Sequence, residues 1–195
     1  MRMSSPIQVL FAAGILVIAA CNKKQPESAA QMPQQNLGAA TAHDVNAVAG
    51  VHWTRPERWS VQPPKQMRIA TYTSPQAEGD AEGGECAVFY FGNGQGGDVN
   101  ANIDRWAGQF ENAGIPVRSS KEVNGMKLEL VQIAGTYLAP SGPMMQSQGK
   151  KENYRLLGAI VDAPEGMVFF KFTGPAKTID ASEDDFNSLV NSLSK

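Results

Sequence analysis

The chain has 195 residues, with 17 Lys or Arg against 19 Asp or Glu and a formal net charge of −2. That balance excludes the basic stripe by which proteins hold nucleic acid or an anionic membrane surface. Two cysteines, Cys21 and Cys86, and two histidines, His43 and His52, exclude a disulfide framework and leave little for a metal site or a histidine-activated nucleophile.

The first twenty residues have the parts of an export signal. Arg2 supplies a positive charge, and Val9 to Val17 is apolar apart from Gly14. The run is shorter than the roughly 20 residues that span a bilayer. It closes on Ile18-Ala19-Ala20-Cys21. These four residues resemble, position by position, the lipobox of bacterial lipoproteins. The resemblance implies a diacylglyceryl thioether on Cys21, cleavage before it, and acylation of the new amino group. The membrane is then a partner through lipid, each buried CH₂ contributing about 0.8 kcal/mol. Asn22 in place of Asp favours, by the same resemblance, the periplasmic face of the outer membrane over the inner membrane.

Residues 22–50 are rich in Ala, Gln, Asn and Pro and carry no helical or strand period. They read as a flexible tether with an end-to-end distance of roughly 30 Å. The expected organisation is a signal peptide over 1–20, the lipidated cysteine and linker over 21–50, and one domain over 51–195. That domain has 14 Lys or Arg and 17 Asp or Glu, and its length suits a single core.

Trp53 and Trp59 open the domain and read as core caps. Met67 to Thr73 alternates and predicts a strand. Ser74 to Gly84 is a polar loop. Cys86 to Phe91 predicts a strand apolar on both faces, hence central and covered on both sides. Its Cys86 reads as a buried, inert thiol. Asp98 is the expected N-cap of a helix whose apolar stripe is Val99, Ile103, Trp106 and Phe110, ending at Asn112 to Gly114. An extended segment follows from Pro116 to Val123, and Asn124-Gly125 predicts a hairpin. The returning strand, Met126 to Leu138, switches its apolar face between Leu130 and Val131, which predicts a bulge there. Ala139 to Asn153 reads as a long loop. Tyr154 to Val161 and Met167 to Phe172 predict strands around a Pro164-Glu165-Gly166 turn. A last helix opens at Ser182, with Asp185 in the place of the capping-box acid and a stripe of Phe186, Leu189, Val190 and Leu193.

Strands, helix, strands and helix, joined by hairpins, predict an α+β domain with a mostly antiparallel β-sheet covered by helices on both faces. The domain resembles the PsbP-like α/β/α sandwich of small bacterial lipoproteins. The residues that carry the resemblance are Trp53…Pro56…Trp59, the run Tyr154 to Val161, the strand end Phe169-Phe170-Lys171-Phe172-Thr173-Gly174-Pro175, and Phe186 to Leu193. It implies a fold and a non-catalytic role, and it transfers no site residue.

Gly92-Asn93-Gly94-Gln95-Gly96-Gly97 satisfies G-x-G-x-x-G, but it leads toward a hairpin rather than a parallel βαβ unit. A plain turn is the expectation, with a bound anion at the helix start the weaker reading. Asp80, Glu82 and Glu85 lack the calcium-loop pattern and read as a solvated loop. Glu183-Asp184-Asp185 suits the dipole of a first helical turn. No cofactor, no metal, no nucleic acid and no enzymatic activity is expected. Met144, Met145, Lys150 and Lys151 mark the long loop as a candidate surface for another envelope protein. The leading expectation is thus a membrane-anchored envelope lipoprotein with a non-enzymatic binding or scaffold role. The alternative is a small-ligand or metal-ion carrier with a cleft near the 139–153 loop.

Overall fold

The computed structural model describes residues 45–141 and 146–195. The segment expected to be an export signal, Cys21, the greater part of the expected tether, Met144 and Met145 lie outside the described residues. The first elements are two short strands, β1 (Ala47–Val48) and β2 (Val51–His52), paired antiparallel across Ala49-Gly50. Both turn residues have positive φ, 53° and 74°, as the tightest hairpins require. There follow β3 (Ser60–Val61), β4 (Ala70–Thr73), β5 (Glu85–Tyr90), α1 (Val99–Ala107), β6 (Phe110–Glu111), β7 (Val117–Val123), β8 (Met126–Ser141), β9 (Gln146–Ala163), β10 (Gly166–Pro175), α2 (Ala176–Ala181) and α3 (Glu183–Asn191).

β3 to β10 form an eight-stranded sheet in the order β3-β4-β5-β10-β9-β8-β6, with β7 also paired to β8. Every pairing is antiparallel. The fold is therefore α+β with a mostly antiparallel sheet. The Asn124-Gly125 turn sits between Val123 and its partner Met126, with φ of 49° and 75°.

Alternation along the central strands sends neighbouring residues into two separate apolar clusters. In β10, Phe170 and Phe172 join one cluster with Trp53, Trp59, Ile179, Phe186, Leu189 and Leu193. Phe169 joins the other with Ile103, Trp106, Phe110 and Ile160. Trp53 meets Phe170 edge to face at 5.2 Å, and Trp59 lies 4.7 Å from Phe172. The two early tryptophans are core residues, 4% and 1% exposed.

Four expectations change. The helix stops at Ala107, and Phe110 belongs to β6, opposite Tyr137, while remaining buried on the same cluster. No bulge separates Leu130 from Val131: pairing with β9 runs unbroken from Leu128 to Gly135, and the irregularities come after Gly135 and Leu138. The apolar switch instead records two-sided burial, with Met126 and Leu128 in one cluster and Val131 and Ile133 in the other. The segment 139–153 is mostly strand, because β8 runs on to Ser141 and β9 begins at Gln146. Its polar residues carry no hydrophobic period, and backbone pairing from Tyr137↔Lys151 to Ser141↔Gln146 joins the two strands at this end of the hairpin. The capping box is absent: Ser182 makes no side-chain cap bond, and Asp185 instead accepts from Arg58 Nε at 2.7 Å and Trp59 Nε1 at 3.0 Å.

Candidate functional site

A cleft of about 810 Å³ opens on the sheet face that carries Phe169. Three cross-strand rows make its floor. Phe169 of β10 pairs with Phe89 of β5, two residues on Lys171 pairs with Ala87, and two further Thr173 pairs with Glu85. Successive rows on one face are about 7 Å apart. The floor thus grades from aromatic through a single cation to polar within one ligand length.

The middle row explains why the cleft exists. Lys171 stands between Ala87 on one side and Gly158 of β9 on the other. Both neighbours are small, so neither strand adds a large side chain beside the lysine. At Gly158 a Cβ would come within 2.4 Å of Trp106 Cζ3 and 2.7 Å of Val131 Cγ1. Glycine here lets the indole of α1 settle against the sheet and form one wall.

α1 supplies that wall because it starts firmly and stops early. Asp98 caps it, accepting from the Ala101 amide at 2.9 Å, as its sequence position predicts. The helix has nine residues and covers only part of the face. Buried Asn102 ties it to the preceding glycine loop by donating to the Gly96 and Asp98 carbonyls, each at 2.8 Å. Gly92, Gly94, Gly96 and Gly97 all have positive φ. A Cβ on Gly96 would come within 2.8 Å of Phe91 and 3.0 Å of Phe169, so this glycine lets the loop lie on the aromatic rings. Gly96 and Gly97 line the cleft. β5 has antiparallel neighbours on both sides, so the G-x-G-x-x-G run is no dinucleotide unit. With Asp98 already on the helix start, a second anion there would meet its charge.

The charges of the cleft are unevenly paired. Glu85 accepts from Lys65 Nζ at 2.5 Å and Arg68 Nη1 at 2.8 Å. Burial pushes its carboxyl up, but these two cations outweigh that and hold it below the usual range. Arg68 also lies 5.7 Å over the Phe89 ring. Lys171 has no carboxylate contact among the described residues. Its Nζ donates to Gln109 Oε1 and lies 3.4 Å from the Tyr137 hydroxyl, with the Tyr137 ring 5.4 Å away. Burial pushes the ammonium down to about 8, helped by repulsion from Arg68 and Arg105 and partly offset by Glu85. Burial likewise raises Tyr137, to about 12, so its hydroxyl stays protonated. Arg105, exposed on α1, contacts Asn102 Oδ1 and no described carboxylate. Thr173 Oγ1 is buried with no hydrogen-bond partner among the described residues, on a residue that lines the cleft.

The residues singled out from sequence lie elsewhere. Lys150 pairs with Glu111 at 2.6 Å, and Lys151 pairs with Glu82 and lies over the Tyr154 ring. Both are in β9, and both already have acidic partners. A shallower depression of about 350 Å³ at Asn112, Glu152, Asn153 and Arg155 is the one nearest the expected carrier site. The loop over 74–84 is largely solvent-exposed, and it is also pinned: Asp80 Oδ2 accepts from the Thr178 amide at 2.9 Å and its hydroxyl at 2.6 Å, and Glu82 meets Tyr154. No cluster of three metal-ligating side chains occurs among the described residues. Cys86 is fully buried, and burial pushes its thiol far up, which suits an inert core residue. His52 lies outside the cleft, its backbone bonded to Ser194.

Neither a family model nor a curated protein matches the chain. Two solved structures are similar in outline. One is the protein of unknown function PA94 from Pseudomonas aeruginosa, with TM-score 0.46 and 8% identity over 71% of this chain and 97% of that one. The other is cyanobacterial PsbP (CyanoP) from Synechocystis sp. PCC 6803, with TM-score 0.46 and 7% identity over 76% of this chain and 94% of that one. Likeness at this level carries no function across.

Proposed function

We propose that this protein is a lipid-anchored envelope protein whose domain, a PsbP-like α/β/α sandwich, binds a small molecule without transforming it. The observation that carries the reading is the cleft over Phe89, Phe169 and Lys171. Its volume is that of a small-molecule site, and it joins an aromatic floor to a few convergent polar groups. The sandwich reading is supported by the two clusters, one containing α1 side chains and the other α2 and α3 side chains. The anchor reading is supported by Ile18-Ala19-Ala20-Cys21. The non-enzymatic reading is supported by the state of the acid in the cleft: Glu85 is held ionised by two cations, which suits a counter-charge and not a general acid. The cleft borders the 139–153 segment through Tyr137, which lines it and pairs with Lys151 across β8 and β9, while Lys150 and Lys151 themselves lie outside its lining.

The test uses the full chain, purified from its own membranes in a non-ionic detergent. Its amino-terminal peptide is weighed, and its melting temperature is followed against a panel of small organic acids, bases and neutral compounds. The expected result is an acylated Cys21 and a concentration-dependent rise in melting temperature for at least one compound. Phe91→Ala, on the open rim of the cleft, abolishes that rise. A panel with no rise overturns the binding reading, and an unmodified amino-terminal peptide overturns the anchor.

A further inference from the structure

The cleft's own chemistry narrows its ligand, on the premise that the cleft is a binding site at all. We infer that it takes a small organic monoanion with a flat apolar body, the body lying on the Phe89, Phe91 and Phe169 rings and the anionic head reaching Lys171.

Three independent features agree. The first is charge. Arg68, Arg105 and Lys171 face the cleft against the single carboxylate of Glu85. Glu85 is already held by Arg68 and by Lys65 outside the lining, so Lys171 and Arg105 have no carboxylate of their own among the described residues. A half-buried ammonium held only by a neutral amide and a phenol is poorly compensated. An incoming anion would complete it with a charge-assisted hydrogen bond.

The second is the shape of the floor. Phe89 and Phe91 stack with ring centres 6.1 Å apart and planes 12° from parallel, and Phe91 reaches Phe169 at 5.8 Å. Phe91 is 38% exposed, an open aromatic edge at the mouth. Flat rings pack on such a floor with more contact than a flexible chain does, and they lose less freedom on binding. The third is spacing. The aromatic row and the Lys171 row are adjacent, about 7 Å apart along the strand, so a ligand lying on the rings needs only a short reach to put its head beside the lysine. The glycine loop bears on the aromatic end, where Gly96 could carry no side chain without striking Phe91.

The test is calorimetric titration of the full chain in non-ionic detergent, with detergent blanks, using three probes. They are 2-naphthoate, its uncharged isostere 2-naphthamide, and octanoate. The expected result is that 2-naphthoate binds about tenfold or more tighter than 2-naphthamide, as a charge-assisted contact implies, and tighter than octanoate. Lys171→Met removes the difference between acid and amide, and Arg105→Gln narrows it. Lys171→Met exchanges a poorly solvated cation for an apolar chain of similar length, so its melting temperature holds or rises. Equal binding of acid and amide overturns the anionic head. Octanoate equal to naphthoate overturns the flat body and leaves a carboxylate on an aliphatic chain. Failure of all three probes removes the cleft reading itself, a different result from the loss of selectivity alone.

Discussion

Lys171 is a charge set into a strand that is otherwise apolar on both faces, and the fold holds it at a cost. Its ordinary value is 10.5, and burial brings it to about 8 in the folded chain. The unfolded chain therefore keeps this proton up to about 10.5, while the folded chain releases it near 8. Where the unfolded state binds more protons, stability rises with pH. Lys171 thus adds stability between about 8 and 10.5. Arg68, Arg105, Glu85 and Tyr137 face it and set the size of that rise. The urea midpoint of wild type should climb across this window relative to that of Lys171→Met; parallel curves would mean that Lys171 titrates as if in water. The residue was visible in the sequence, since Phe169-Phe170-Lys171-Phe172 interrupts an apolar strand with one cation. Its meaning was not. That depends on Ala87 and Gly158 standing beside it, and these join it only through cross-strand register. The Met pair and the lysines of 144–151 drew notice by local composition, and the two lysines prove to be engaged by Glu111 and Glu82.

At the scale of elements, α1 decides the site. Its nine residues fix Trp106 and Arg105 over the sheet, and its early stop leaves the rows of Lys171 and Thr173 uncovered. The cap at Asp98 and the Asn102 tie to Gly96 hold its first turn. Asp98→Ala should cost about 1 kcal/mol of stability by denaturant titration. It should also weaken 2-naphthoate in the same preparation, because the wall bearing Trp106 loosens. Unchanged affinity with the expected stability loss would detach the helix from the site. Strands with strong two-sided or alternating patterns, and the Asn-Gly turn, were legible because the signal is local. The outer parts of β8 and β9 were not, because a hairpin arm outside the core needs backbone partners and leaves no hydrophobic period. The Asp185 cap failed for a related reason. A distant pair, Arg58 and Trp59, competes for its carboxylate, and spacing along one helix cannot reveal that.

At the scale of the whole domain, its two ends are sewn together. The His52 amide donates to the Ser194 carbonyl at 2.8 Å, the Ser194 amide returns to His52 at 2.9 Å, and the Thr54 amide donates to Ser192 Oγ at 2.7 Å. Leu193 between them is fully buried, and its carbonyl accepts from Asn124 Nδ2 at 2.6 Å. Removal of 193–195 should therefore cost at least the roughly 2–5 kcal/mol of a deleted core leucine. Loss of Lys195 alone, which reaches only the Gly125 carbonyl, should cost little. Urea titration of the two shortened chains separates these outcomes, and equal stability would mean that the closing bridge is ornamental.

The stitch has a consequence for traffic. Val51, Trp53 and Leu193 pack in the cluster with Phe170 and Phe172, whereas the cleft lies over Phe169, Lys171 and Thr173, their alternates on the same strand. The chain enters the domain on one face of the sheet, and the cleft opens on the other, so on the proposed function the tether and the ligand would use separate doorways.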